Sequence, residues 1–246
     1  MKNLYLEELK SQKQKIASII AFLIVSYSIF FFLPQNTINS LTVEDGIVES
    51  LTALFFISSS IVFFKSNPKR NIFLYSLALF LFFGAGEEIS WGQRIIGYKT
   101  PEQLKDVNVQ GETTLHNIEI FNRENFDKSY KSGIKNIITI DTLYRIFIVA
   151  FGFFLPFFTF HFKPIRKIVA YLKMPIPPIT LGFFFIFTWL ILKSIPILVG
   201  TDPFTNMNAP EVFEFTTSFI WFMISLFFYK NRNHPILGSD KKDNFA

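Results

Sequence analysis

Apolar residues along this chain run in long unbroken blocks, with polar residues gathered into the connectors between them. The blocks predict six helices at about residues 16–33, 47–64, 71–91, 137–160, 179–199 and 211–229, each close to the roughly 20 residues that cross bilayer hydrocarbon. Stretches such as Ile29-Phe30-Phe31-Phe32-Leu33 and Phe183-Phe184-Phe185 are too numerous for one soluble core. The expected fold is all-α: a polytopic bundle of six transmembrane helices forming a single domain over 1–234. A loop at 98–136 is expected to form a lid on the outer side. Residues 235–246 read as a disordered cytoplasmic tail.

Span ends carry helix-start chemistry. Thr42-Val43-Glu44-Asp45, Thr100-Pro101-Glu102-Gln103 and Asn208-Ala209-Pro210-Glu211 all resemble capping boxes. The middle one predicts an outer helix of about two turns. Pro175, Pro177 and Pro178 break the chain before the fifth span, leaving Ile168 to Lys173 as a surface turn.

Charge orients the bundle. The N-terminal tail, 65–70, 163–173 and the C-terminal tail are rich in Lys and Arg, whereas 35–46 and 200–210 hold neither. This positive-inside pattern places both termini in the cytoplasm and the 98–136 loop outside. The run Ile16 to Leu33 ends without a small-x-small cleavage site and reads as a retained span of an inner (plasma) membrane protein of a bacterium. Among 246 residues there is no cysteine, which removes disulfides, a thiol nucleophile and cysteine-based metal centres. The net charge of +5 forms no basic stripe with interleaved aromatics, so nucleic acid is not an expected partner. Membrane lipids are, and a protein partner or a second copy is compatible with the apolar surface.

With this topology the carboxylates gather at one membrane face. Glu44, Asp45, Asp141 and Glu211 occupy first helical turns, where the dipole favours them. Glu49 and Glu214 lie a turn deeper. Glu87 and Glu88 close the third span, at the end where the dipole opposes negative charge, and a local rule broken in this way points to a site. On a continuous helix Glu87, Trp91 and Arg94 share one face. Arg145 and Lys193 lie at similar depth, and His116 is the one outer histidine, spaced i, i+4 from Glu112. Glu87, Glu88, Arg94 and His116 are therefore the expected catalytic groups. Trp91, Gln93, Arg145 and Lys193 are the expected substrate contacts. Glu49, Glu87, Glu88, His116 and Glu214 form a donor set that can hold a divalent metal ion.

Two adjacent glutamates followed by an arginine bring to mind the CAAX-protease-like membrane family, whose first motif is Glu-Glu-x-x-x-Arg. Here Ile89 to Gln93 separate Glu88 from Arg94, and Phe157-x-x-x-His161 falls at the opposite membrane face. Nothing is carried over from that family. The leading expectation is a membrane-embedded hydrolase or transferase acting on a lipid or lipid-linked substrate from the outer face. A cation or proton pathway through the same carboxylates is the second. The third is a scaffold or partner subunit whose polar cluster fixes helix packing.

Overall fold

The computed structural model describes residues 2–43, 46–67, 70–200 and 208–232; the side chains of 2–8 and of Arg94 fall outside the described set, as do Glu44, Asp45, Asp202 and the 235–246 tail. Among the described residues the chain is helical without a strand. It comprises α1 (Lys2–Phe32), α2 (Gln35–Thr42), α3 (Ile47–Lys65), α4 (Ile72–Glu88), α5 (Gln93–Ile96), α6 (Glu102–Lys105), α7 (Ile134–Ile137), α8 (Ile140–Val149), α9 (Leu155–His161), α10 (Lys163–Leu172), α11 (Ile179–Leu198) and α12 (Asn208–Lys230). Five helical stretches are long and apolar enough to cross a membrane: 9–32, 35–65, 140–161, 179–198 and 208–230. The chain is thus a helical multi-pass membrane protein. The expected third span corresponds to α4, which has 17 residues.

Ring and hydroxyl contacts give the packing order. Central α12 runs parallel to α3, as shown by Thr42 Oγ1 meeting the Asn208 side-chain amide near one end and the Phe63 ring meeting Phe228 towards the other. It also runs parallel to α8, through Tyr144–Thr217 and Phe147–Trp221. Antiparallel α4 lies along α3, with Ser60 Oγ donating 2.7 Å to Ala78 O and Gly84 facing Phe56. Trp221, Phe213, Ile220, Phe185 and Ile148 are fully buried at the centre. Small hydroxyl residues (Thr52, Ser59, Thr216, Thr217, Ser218 and Ser225) line the buried faces of α3 and α12. Most of them bond back to their own helix, as small residues at membrane helix contacts do.

The fourth span is interrupted. Between α8 and α9, Ala150–Phe154 winds as a π-segment. Pro156 explains it: proline lacks the N–H that would bond Gly152 O, and its ring crowds that carbonyl. The carbonyl of Gly152 turns instead to α11, so close that a Cβ on Gly182 would lie 1.6 Å from it. Only glycine at 182 permits this approach.

Several expected boundaries shift. The helix α1 begins at Lys2, so the basic tail is helical. In place of the 35–46 connector stands α2, where Thr42 closes the helix by donating to Ile38 O rather than opening the next one; α3 starts after Gly46. The Thr100 box yields only the single turn α6, because Thr100 Oγ1 is spent on Gln93 and Gly111. Most of the expected turn at 168–173 is the last part of α10, closed by left-handed Lys173; α10 is an amphipathic helix with Ile168, Tyr171 and Leu172 exposed beside its lysines.

Candidate functional site

The start of α3, the end of α4, the start of α8 and the start of α12 share one end of the bundle, because α3, α8 and α12 run parallel and α4 opposes α3. Glu88 accordingly lies within electrostatic range of Glu214, Glu211, Glu49 and Asp141. Each was expected near it from the charge pattern. Glu214 in turn lies within electrostatic range of Asp141, Arg145, His116 and Arg123.

Helix α4 does not continue to Arg94. It stops at Glu88, and Ser90, Trp91 and Gly92 follow with φ of 47°, 54° and 77°. Left-handed backbone costs roughly 1–2 kcal/mol at each non-glycine residue. Local bonds offset it. Ser90 Oγ donates to Glu112 Oε2 at 2.9 Å, Thr113 Oγ1 donates to Ser90 O at 3.2 Å, and Trp91 Nε1 donates to Glu87 Oε1 at 2.7 Å. Trp91 thus returns to Glu87 by a turn rather than along a helix face. Its ring lies on Gly86, where a Cβ would come within 2.8 Å of the indole.

The 98–133 loop folds onto this turn. Glu87 Oε2 accepts the backbone N–H of Leu115 at 2.7 Å and of His116 at 2.9 Å, and His116 Nδ1 lies 3.2 Å from the same oxygen. Glu112 and His116 were expected on one helix face. No helix forms there, because Asn side chains take the backbone groups a helix would use. Asn108 Oδ1 accepts from Gln110 N and Glu112 N, and Asn108 Nδ2 donates to Thr114 O. Asn117 bonds Gln110 and receives Asn122. The amide of Gln93, expected to touch substrate, is consumed at both ends, accepting from Thr113 and donating to Thr100. Tyr98 OH reaches Ser90 O and Thr113.

His116 therefore has one ring nitrogen fixed by a carboxylate. Burial works against its charged form. The hydrogen bond and charge of Glu87, with the fields of Asp141 and Glu214, outweigh that and raise its pKa above the usual histidine value. Asp141 stands 3.7 Å from Arg123 and 4.0 Å from Arg145, which also lies over the Phe213 ring at 5.4 Å. Lys193 is exposed on α11 and makes no ion pair among the described residues; its charged neighbours are Arg145 and Arg123.

Among the described residues no three His, Asp or Glu side chains group as metal ligands. The oxygens of Glu87 already accept from Trp91, Leu115 and His116. The side chain of Arg94 lies outside the described residues. Sequence reasoning missed Gly86, Ser90 and the asparagines. The density of Asn between 108 and 125, residues that readily form side-chain turns, was the available signal. No protein-family model matches this chain, and neither a curated protein nor a solved structure is significantly similar to it.

Proposed function

We propose that the chain is a membrane-embedded hydrolase or transferase acting on a lipid or lipid-linked substrate, with an acidic site at the outer membrane face. The observation that carries this reading is the Glu87–His116 pair. A carboxylate that fixes one imidazole nitrogen sets the tautomer and leaves the other nitrogen to take or give a proton. In this reading His116 is the general base and Glu88, amid the other carboxylates, is the group that returns the proton to the leaving atom. Glu87 orients His116 and holds the loop; Trp91 supports Glu87. No metal is needed in the scheme.

The reading includes α4 as a sixth span, supported by its full-length antiparallel register along α3. It places both termini in the cytoplasm of a bacterial inner membrane, on the strength of the basic connectors.

The test is turnover. The protein is reconstituted in liposomes holding phospholipids and lipid-linked saccharides, and released water-soluble products are measured by mass spectrometry. The wild type should convert one lipid class. His116→Gln and Glu88→Gln should each lose roughly 100-fold or more, the range of general acid–base catalysis, while remaining folded. Equal turnover in wild type and both variants removes the reading. The column of half-buried Glu214, buried Thr217 and half-buried Tyr144 favours a second one, proton transport, for which a pH-sensitive dye inside the same liposomes reports flux.

A further inference from the structure

The outer ends of α8 and α11 meet the loop at a cluster that the acid–base scheme leaves unused. Arg145 lies five residues into α8 from Ile140, and Lys193 five residues before the end of α11 at Leu198. The helices are antiparallel, and counted from the Gly152–Gly182 contact Lys193 lies four residues, about 6 Å, farther towards the outer face than Arg145. Arg123 joins them from the loop, since Lys193 has both arginines as its charged neighbours. The two arginines share one close carboxylate, Asp141. Glu214 lies in the field of the two arginines but forms no ion pair with them among the described residues. The guanidinium is incompletely used: Arg145 Nη2 is buried and has no hydrogen-bond acceptor. A buried charged donor without an acceptor costs more than most surface contacts return, and the penalty vanishes when an anion supplies the oxygen.

We propose that Arg123, Arg145 and Lys193 form a seat for the phosphate of a membrane phospholipid headgroup, between α8 and α11 at the outer face. This rests on the reading of the site as lipid-processing and gives its substrate class: a phosphate-bearing lipid rather than a neutral one. The arginine fork suits phosphate oxygens, and an exposed lysine on a flexible stem closes over them. The depth favours a lipid source. Headgroup phosphates lie at the hydrocarbon boundary, where Lys193 emerges from α11. The acyl chains then lie along exposed apolar residues of the same helices, Ile146 on α8 and Leu190 on α11. The seat borders Glu214, and through it His116 and Glu88, so a phosphate held there lies next to the proposed acid–base pair.

The test is lipid retention by native mass spectrometry of the intact protein in detergent. The probes are phosphatidylglycerol, phosphatidylethanolamine, diacylglycerol and inorganic phosphate. The wild type should keep one phospholipid and no diacylglycerol. Lys193→Gln and Arg145→Gln should each lower retention about tenfold or more, while Lys65→Gln at the other membrane face leaves it unchanged. Lys193 is exposed, so its variant reports even if Arg145→Gln fails to fold. Unchanged retention in Lys193→Gln, or equal retention of diacylglycerol, overturns the seat. Displacement of the lipid by equimolar inorganic phosphate overturns the lipid source and leaves a soluble-phosphate site. His116→Gln separates the two proposals: normal retention with no turnover by any variant or wild type would keep the seat and remove the enzyme.

Discussion

The Glu87 carboxylate has four partners, three of them backbone or ring groups of one loop segment and one an indole. Its two oxygens can accept all of these only while both lack protons. Glu87→Gln places an amide NH2 against at least one N–H donor, and an unsatisfied buried donor costs about 1–3 kcal/mol. The variant should release the 112–117 segment, seen as faster amide hydrogen exchange at Leu115 and His116 with the α3–α12 core still protected. The effect on pH follows from His116. Its folded pKa lies above the unfolded value near 6.5. Its contribution to stability is complete below about pH 6.5 and fades as pH rises through the folded value. The melting temperature should therefore fall as the pH rises above about 6.5, and His116→Gln should flatten that slope. Glu87, Asp141 and Glu214 are the charges that set it. That the outer loop folds back as a lid and brings residues 112–117 onto Glu87 was legible in the sequence; the individual bonds were not. The pairing of Glu87 with position 116 spans 29 residues, and no periodicity encodes a bond between a helix end and a loop backbone.

At the scale of elements, the π-segment and α11 depend on two glycines. Gly182→Ala would place a methyl 1.6 Å from the Gly152 carbonyl, backbone against backbone, and the helices must separate. The expected loss is about 3 kcal/mol or more. Gly84→Ala is the matched control: its Cβ meets only the Phe56 ring at 3.5 Å, an ordinary contact, and alanine is the better helix former. Thermal melts of the two in the same detergent should differ sharply, with Gly84→Ala neutral or stabilising. The helices themselves were legible, because a run of apolar residues near 20 long has few other fates. Their interruptions were not. Pro156 signalled a break, but whether a proline kinks, ends or bulges a helix depends on what waits for the freed carbonyl, and here that is a glycine on another helix. The turn at Ser90–Gly92 was hidden likewise, since two of its three left-handed residues are not glycine.

For the whole molecule, the parallel arrangement of α3, α8 and α12 brings their acidic first turns to one face, and the basic connectors lie at the other. The convergence of Glu49, Glu88, Asp141, Glu211 and Glu214 was legible because span direction alone dictates it. Topology is testable in a chain without cysteine. Single cysteines at Lys105 and Lys167, both exposed, should label from opposite sides of intact cells, position 105 from outside. Labelling of position 105 from the cytoplasmic side and of position 167 from outside would remove α4 as a span, whereas labelling of both from one side would remove the 140–161 crossing. The length of α4 has a further consequence. Seventeen residues make a rod of about 25 Å, while bilayer hydrocarbon is about 30 Å thick. The left-handed turn forbids the helix from growing into the gap. If α4 crosses the membrane, the surrounding leaflet has to dip towards it, and the dip falls beside the carboxylates. Lipid tails then become a control knob: short-chain bilayers, which match the rod without deformation, should give the higher melting temperature, and lengthening the chains should lower it steadily.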